Sequence, residues 1–293
     1  MNGRALQFAQ DPTNQPAANV FFAEQIAAAP DLHWALLIDS AFDHTAEEKI
    51  STARGFNCYA EDPLDDLETV APWLLTLDNG EVGKKRLAEA IAHCGGRPML
   101  SVLASTQPLR SLVESWHSYH WLHASDGQRF ILRFADTRVL PVLSEILQPQ
   151  QWAAIRAPLA HWFYIDRSGN PVACPEAPAS AVVPPRLEVT QQQLDRFVEF
   201  AEPDTAADFI FSHSPELMPH GASGYDVHQH FSELFAFARK HRVDLWADKM
   251  ALITVDLLTR GRFRRNPKFE ELMLNKAWEP GALGDCLEAH GIV

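Results

Sequence analysis

The 293-residue chain is 46% hydrophobic and 22% charged, an ordinary globular composition with enough apolar mass for a sizeable core. Its formal net charge of -13 gives no general counterion-release attraction to nucleic acid and sets it against anionic membrane surfaces. Cys58, Cys94, Cys174 and Cys286 are scattered without a CxxC pair, which excludes a zinc knuckle or small disulfide scaffold and reads as reduced, structural thiols.

The first residues, MNGRALQFAQDPTNQPAANVFF, lack the basic start and apolar run of a signal peptide. The longest apolar runs are too short to span a bilayer, so the expectation is a soluble, cytoplasmic protein. Strands are predicted at HWALLID (His33 to Asp39), APWLLTL (Ala71 to Leu77) and RPMLSVLAS (Arg97 to Ser105). Between the second and third, GEVGKKRLAEAIAHCGG places Val82, Leu87 and Ile91 at near-helical spacing and stops at glycines. TQPLRSLVESW is again helical, with Pro108 near its start. Strands alternating with helices predict an α/β lobe.

The pattern then changes. YHWLHAS, DG and QRFILRFAD read as strand, turn and strand, with Asp126 and Gly127 supplying the positive backbone angles of a tight hairpin. In the second strand Phe130, Leu132 and Phe134 would share one face. RVLPVLSEIL returns to helical spacing with Pro141 in the first turn, and LAHWFYID reads as the last strand of the lobe. From Pro171 to Pro185 five prolines fall in fifteen residues, which predicts an extended connector. The expected organisation is therefore an α/β N-terminal lobe with a mixed sheet and a hairpin (1–170), a proline-rich connector (171–185) and a mainly α-helical C-terminal lobe (186–293).

In the helical lobe, Thr190 is the expected N-cap of a helix with Leu194, Phe197 and Val198 on one face. Val227, Phe231, Leu234, Phe235 and Ala238 form a second apolar stripe. Leu245, Trp246, Met250, Ile253 and Leu257 form a third, ended by Gly261. NPKFEELMLNKAW and PGALGDCLEAHG predict two short terminal helices. The GASG before the second helix is no nucleophile elbow and reads as the loop leading into it. His228 and His230, two apart, diverge on a helix.

Three features bear on chemistry. His117, His120 and His123 fall within seven residues, but no HExxH pattern or paired carboxylate completes a metal set. On a strand His117 and His123 would share a face and His120 would oppose them. No phosphate-cradling glycine loop occurs either. The basic run RGRFRRNPKF, with Arg260, Arg262, Arg264, Arg265 and Lys268, reads either as helix-end and solvated charge or as a patch for an acidic partner. Finally, Arg133, Asp136 and Arg138 interleave with apolar residues where a strand turns into a helix, which suits a charge-assisted pair closing that junction.

The run ILRFADTRVLPVLSEIL resembles the Arg-Phe-(aromatic)-Asp-Pro-Arg-Val-Leu signature of the bacterial type VI secretion effector adaptors (Tap or TEC), first catalogued as a domain of unknown function. The signature carries onto Arg133, Phe134, Asp136, Arg138, Val139 and Leu140. Ala135 stands where the aromatic is usual and Thr137 where proline is usual, and Thr137 is expected to cap the following helix. ALLIDSAFD, APWLLTL, PLRSLVESW and LQPQQWAAIRAPLAHWFYIDRSGN add to the resemblance, which covers about Leu32 to Asn170. The resemblance implies a non-enzymatic adaptor or chaperone that binds a toxic effector in the cytoplasm and loads it onto the VgrG spike. It implies no catalytic residue, metal or cofactor; the acidic charge balance adds the expectation of no nucleic-acid or membrane partner. Arg262, Phe263, Arg264, Arg265 and Trp246 are the candidate partner contacts. The alternative reading is a metal-dependent hydrolase using His117, His120 and His123 with Asp136.

Overall fold

A computed structural model describes residues 10–43, 46–60, 64–178 and 182–292. The chain divides into two compact units, Met1–Val198 and Glu199–Val293. In the first unit the described strands are β1 (His33–Asp39), β2 (Gly55–Asn57), β3 (Pro72–Thr76), β4 (Leu100–Ser105), β5 (Trp121–Ala124), β6 (Arg129–Ile131), β7 (Leu159–Ile165), β8 (Pro171–Ala173) and β9 (Leu187–Val189). The helices are α1 (Gln15–Ala28), α2 (Glu81–Cys94), α3 (Leu109–Trp116), α4 (Leu140–Ile146), α5 (Pro149–Arg156) and the start of α6 (Gln191–His213).

β1 is buried from Trp34 through Asp39. A strand with no exposed face needs partners on both edges and cover on both sides. It takes β3 on one edge and β4 on the other, within a six-stranded sheet of order β2-β3-β1-β4-β7-β8. Every pair in this sheet is antiparallel, where a mixed sheet was expected. β3 and β4 are joined through α2 yet do not touch, because β1 lies between them. The strand–helix–strand alternation therefore makes a crossover that bridges an antiparallel neighbour.

Alternation along the strands divides the core. Trp34, Leu36 and Ile38 join Ala18 and Phe22 of α1 and Leu87, Ala90, Ile91 and Cys94 of α2 on one face. Ala35 and Leu37 point the other way, to Leu112 and Trp116 of α3, Leu143 of α4, and Trp152 and Ile155 of α5. β7 repeats the division with Phe163 and Ile165 against Trp162 and Tyr164. Each such large side chain contributes about 1.5–3 kcal/mol by leaving water. Val82 departs from the expected stripe and is exposed. Gly83 faces inward instead, so close to the backbone that a Cβ there would lie 1.7 Å from the Asp78 carbonyl oxygen.

β5, β6 and β9 form a separate sheet of order β6-β5-β9, antiparallel on one side and parallel on the other. This smaller sheet is the mixed one. The hairpin exists, but its loop is three residues long. Ala124 and Gln128 flank it, and Gly127 (φ 87°) alone of the loop takes a positive angle. β6 ends at Ile131, so the expected common face of Phe130, Leu132 and Phe134 does not form. Phe130 is exposed, whereas Leu132 and Phe134 are buried beyond the strand. The Leu132 N–H still donates to the His120 carbonyl (2.8 Å).

The proline-rich stretch lies within the first unit. Its start is β8, an edge strand where Pro171 needs no ladder donor, and β9 follows it into the small sheet. β7 is consequently not the last strand, and the division between units falls at Val198 and Glu199. Residues 179–181 of this stretch lie outside the described residues.

Thr190 caps α6 as expected. Its Oγ1 accepts from the Gln193 N–H (3.2 Å) and the Gln193 side chain accepts from the Thr190 N–H (3.0 Å), a reciprocal capping box. Leu194 and Phe197 pack on the first core, but Val198 is exposed.

The second unit is helical: the remainder of α6, then α7 (Gly224–Lys240), α8 (Trp246–Thr259), α9 (Pro267–Asn275) and α10 (Leu283–Ala289). Ser223 of GASG caps α7 by accepting from the Asp226 N–H. The expected stripe of α7 is buried throughout. In α8 only Met250 and Ile253 of the expected five are buried, while Leu245 and Trp246 are exposed. Two aspartates take inward positions instead. Asp248 accepts from the Gly281 and Leu283 N–H groups (2.9 and 3.0 Å) and so fastens the start of α10. Among the described residues no helix is long and apolar enough to cross a membrane.

Candidate functional site

The signature segment lies where β1 leaves the large sheet. Asp39, the last residue of β1, is fully buried. Its Oδ1 accepts from the Ala41 N–H (3.1 Å), and its Oδ2 accepts from Arg133 Nη2 (2.7 Å). Three residues after Arg133, Asp136 accepts from Arg138 three times: from the backbone N–H (3.1 Å), Nε (3.0 Å) and Nη2 (2.7 Å). The ζ-carbons of Arg133 and Arg138 each lie 5.5 Å from the centre of the Phe42 ring. The expected Asp–Arg pair is therefore present, and a second one lies beside it around the same ring.

The local backbone explains the positions. Asp136 and Val139 turn the chain, with N–H groups donating to the Arg133 and Asp136 carbonyls (3.0 Å each). The turn leaves Arg133 and Arg138 partly exposed, while Phe134, Ala135 and the carboxylate of Asp136 are buried. Phe134 stacks on His120 at 5.0 Å and meets Trp116 and Trp162 edge-on at 5.1 and 6.1 Å. Thr137 does not cap α4; Val139 holds the cap position and Pro141 sits in the first turn. The Thr137 N–H instead donates to the Pro98 carbonyl (3.0 Å), a bond that the usual proline could not make.

A second charged cluster follows from the same end of β1. Buried Asp43 lies 2.8 Å from His93 Nε2, pairs with Arg97, and accepts from the Ile50 N–H (3.2 Å). Asp39, Phe42 and Asp43 escape a reading of the signature alone. The signal for Asp39 was an acidic residue closing an apolar strand. Burial pushes the Asp39 carboxyl up to about 6; Arg133 opposes that shift and the nearby Asp136 charge adds to it. Carboxylates tied to guanidinium and backbone donors make a fixed, charge-assisted junction.

The histidines are dispersed by the fold. His117 is in a single 3-10 turn (His117–Tyr119), His120 follows it, and His123 lies in β5 opposite Arg129. His117 and His120 are thus off the strand on which a shared face was considered. His120 is buried between Phe134 and the edge of Tyr59, and burial holds its pKa down to about 3, leaving it neutral. Asp136 is engaged with Arg138. Among the described residues no group of three or more His, Cys, Asp or Glu side chains is placed to hold a metal ion. The metal-dependent hydrolase reading built on His117, His120, His123 and Asp136 is corrected accordingly. All four cysteines are free, and three of them are buried.

The partner candidates of the second unit separate by burial. Phe263 is core, packed edge-on against Phe269 at 4.6 Å, and its side chain is withdrawn from any partner. Arg264 donates to Asp256 (3.2 Å) and lies over Phe237 and Phe263. Asp256 also lies 2.6 Å from His230 Nε2, which raises the His230 pKa through that hydrogen bond. Arg262 donates to the Thr259 carbonyl (2.9 Å) and, like Arg265, is exposed. Trp246 stacks on Phe235 at 6.0 Å with its outer part in water.

Residues 34–154 match the sequence model of a family described as Domain of unknown function (DUF4123), a span of less than half the chain. It contains the junction from Asp39 to Arg138. No curated protein and no solved structure matches the chain.

Proposed function

We propose that this chain is a non-enzymatic adaptor that binds a toxic effector in the cytoplasm and loads it onto the VgrG spike of a type VI secretion system. The observation that carries this reading is the match of residues 34–154 to a domain of unknown function, supported by the resemblance of Arg133, Phe134, Asp136 and Arg138 within that span to the adaptor signature. The geometry gives that signature a physical role. Phe134 ties the segment to the aromatic core, and the two arginines clamp carboxylates around Phe42. This holds the surface at the end of β1 in one shape, which favours binding by lowering the ordering cost. Exposed Trp246, Arg262 and Arg265 are the proposed contacts of the second unit, with aromatic and arginine side chains being the usual anchors of interfaces.

The test is co-purification of the full chain with the effector and the spike encoded beside it. Retention of both partners, and loss of effector export when the adaptor gene is deleted, are the expected results. Failure of the tagged chain to retain either partner would overturn the proposal.

A further inference from the structure

α5 ends on an arginine that is far better buried than its partner. The Arg156 side chain is 3% exposed, and its Nη2 lies 2.6 Å from Oε2 of Glu176, whose side chain is 79% exposed. Nη1 of Arg156 is buried and has no hydrogen-bond acceptor. A guanidinium withdrawn from water is costly unless its donors are matched, and a single outward carboxylate matches it at one end only. Neighbouring Cys174 supplies no balancing charge, since burial pushes its thiol up to about 12.

Arg156 also lines a cavity of about 240 Å³, together with Ala153, Ala157, Leu159, Ala177 and Pro178. Glu176 and Val183 complete the lining, and the surface the cavity exposes is more polar than apolar although most of its lining side chains are short and apolar. The volume is below the roughly 300–1,000 Å³ of a pocket for a drug-sized ligand. Glu176 stands at this cavity on a stretch with neither helix nor strand, so its movement breaks no ladder.

We propose that this cavity is a carboxylate-binding pocket for a peptide segment, in which the incoming carboxylate displaces Glu176 and takes Nη1 and Nη2 of Arg156 together. Two parallel N–H···O bonds are the geometry in which a guanidinium holds a carboxylate best. Glu176 acts as a resident surrogate. It holds Nη2 while in place and leaves by swinging into the water that already surrounds most of it. One carboxylate replaces another, so the exchange leaves no buried charge uncompensated. The carboxylate is that of a chain terminus or of an Asp or Glu side chain. The inference goes beyond the adaptor reading and stands without it.

The test uses the full chain and its Glu176→Ala variant, following the Arg156 Nε–H resonance and the backbone resonances of Ala153, Ala157 and Ala177 by NMR. Three probes are titrated: acetyl-trialanine with a free carboxylate, the same peptide as its amide, and an amidated peptide with a central glutamate. Saturable shifts with a carboxylate probe but not with the neutral amide are expected in the variant. Binding should be at least about tenfold weaker in the wild-type chain, where a charge-assisted bond must first be broken. Whichever acidic peptide saturates identifies the terminus or the side chain as the source. The proposal is overturned if neither acidic probe saturates in the variant, if the neutral amide shifts the same resonances equally, or if removing Glu176 leaves the affinity unchanged.

Discussion

Replacing Asp39 by Asn keeps the shape of a fully buried side chain and removes its charge. In the unfolded chain this carboxyl titrates near 3.8, and in the folded protein near 6, chiefly because burial disfavours the ion. Between those values the folded protein binds more protons than the unfolded chain. Raising the pH through that window therefore costs the wild type stability. The full shift corresponds to about 3 kcal/mol, of which about 2 kcal/mol develops between pH 4 and pH 7. D39N has no such contribution. All other titrating groups being shared, the stability of D39N minus that of the wild type should rise by about 2 kcal/mol from pH 4 to pH 7. Urea unfolding followed by tryptophan fluorescence measures it, because six of the eight tryptophans (34, 73, 116, 121, 152 and 162) lie in the first unit. A difference that stays flat across this range, or that falls, would refute the placement of a strained carboxylate beneath Arg133.

D136A removes the acceptor of three Arg138 hydrogen bonds at a nearly buried site and should lower stability by about 3 kcal/mol, read from the shift in urea midpoint; an unchanged midpoint would sink the junction role. G83A drives a methyl group into the Asp78 carbonyl and should cost about 1–3 kcal/mol despite the better helix propensity of alanine, and a rise in Tm would contradict it. The His230 pKa is raised above 6.5 by its hydrogen bond to Asp256, so its contribution to the second unit is full below pH 6.5 and fades as pH rises through the folded value. H230Q should flatten that slope when unfolding is followed through Trp246 and Trp278. An identical pH profile in the two proteins would count against the pair.

What was legible in the sequence was whatever periodicity alone determines. HWALLID is β1 residue for residue, and the stripe from Val227 to Ala238 is the buried face of α7. The Thr190 cap was readable because its partner is three residues away. The junction was half legible: Asp136 and Arg138 are two residues apart, but Arg133 finds Asp39 across 94 positions, which no local pattern encodes. Burial of polar side chains was the main blind spot. Asp248 and Asp256 look like solvated helix charges, yet each answers a donor brought from elsewhere in the chain. The histidines misled in the opposite sense. Their density suggested ligands, but His120 is a flat, neutral ring filling an aromatic core.

The position of β1 has a consequence for how the protein is made. Its two neighbours in the sheet both come later in the chain, and β4 is complete only at Ser105. At ribosomal rates of about 5–20 residues per second, the 66 positions from Asp39 to Ser105 take roughly 3–13 s to emerge. Until β3 is complete at Thr76 both edges of this apolar segment lack their partners, and the edge that β4 will take stays open to the end of the interval, long past the microseconds in which hairpins form. The nascent chain must therefore be kept from pairing with other copies of itself until the second neighbour is available, and crowded synthesis on one message is where misassembly would first be seen.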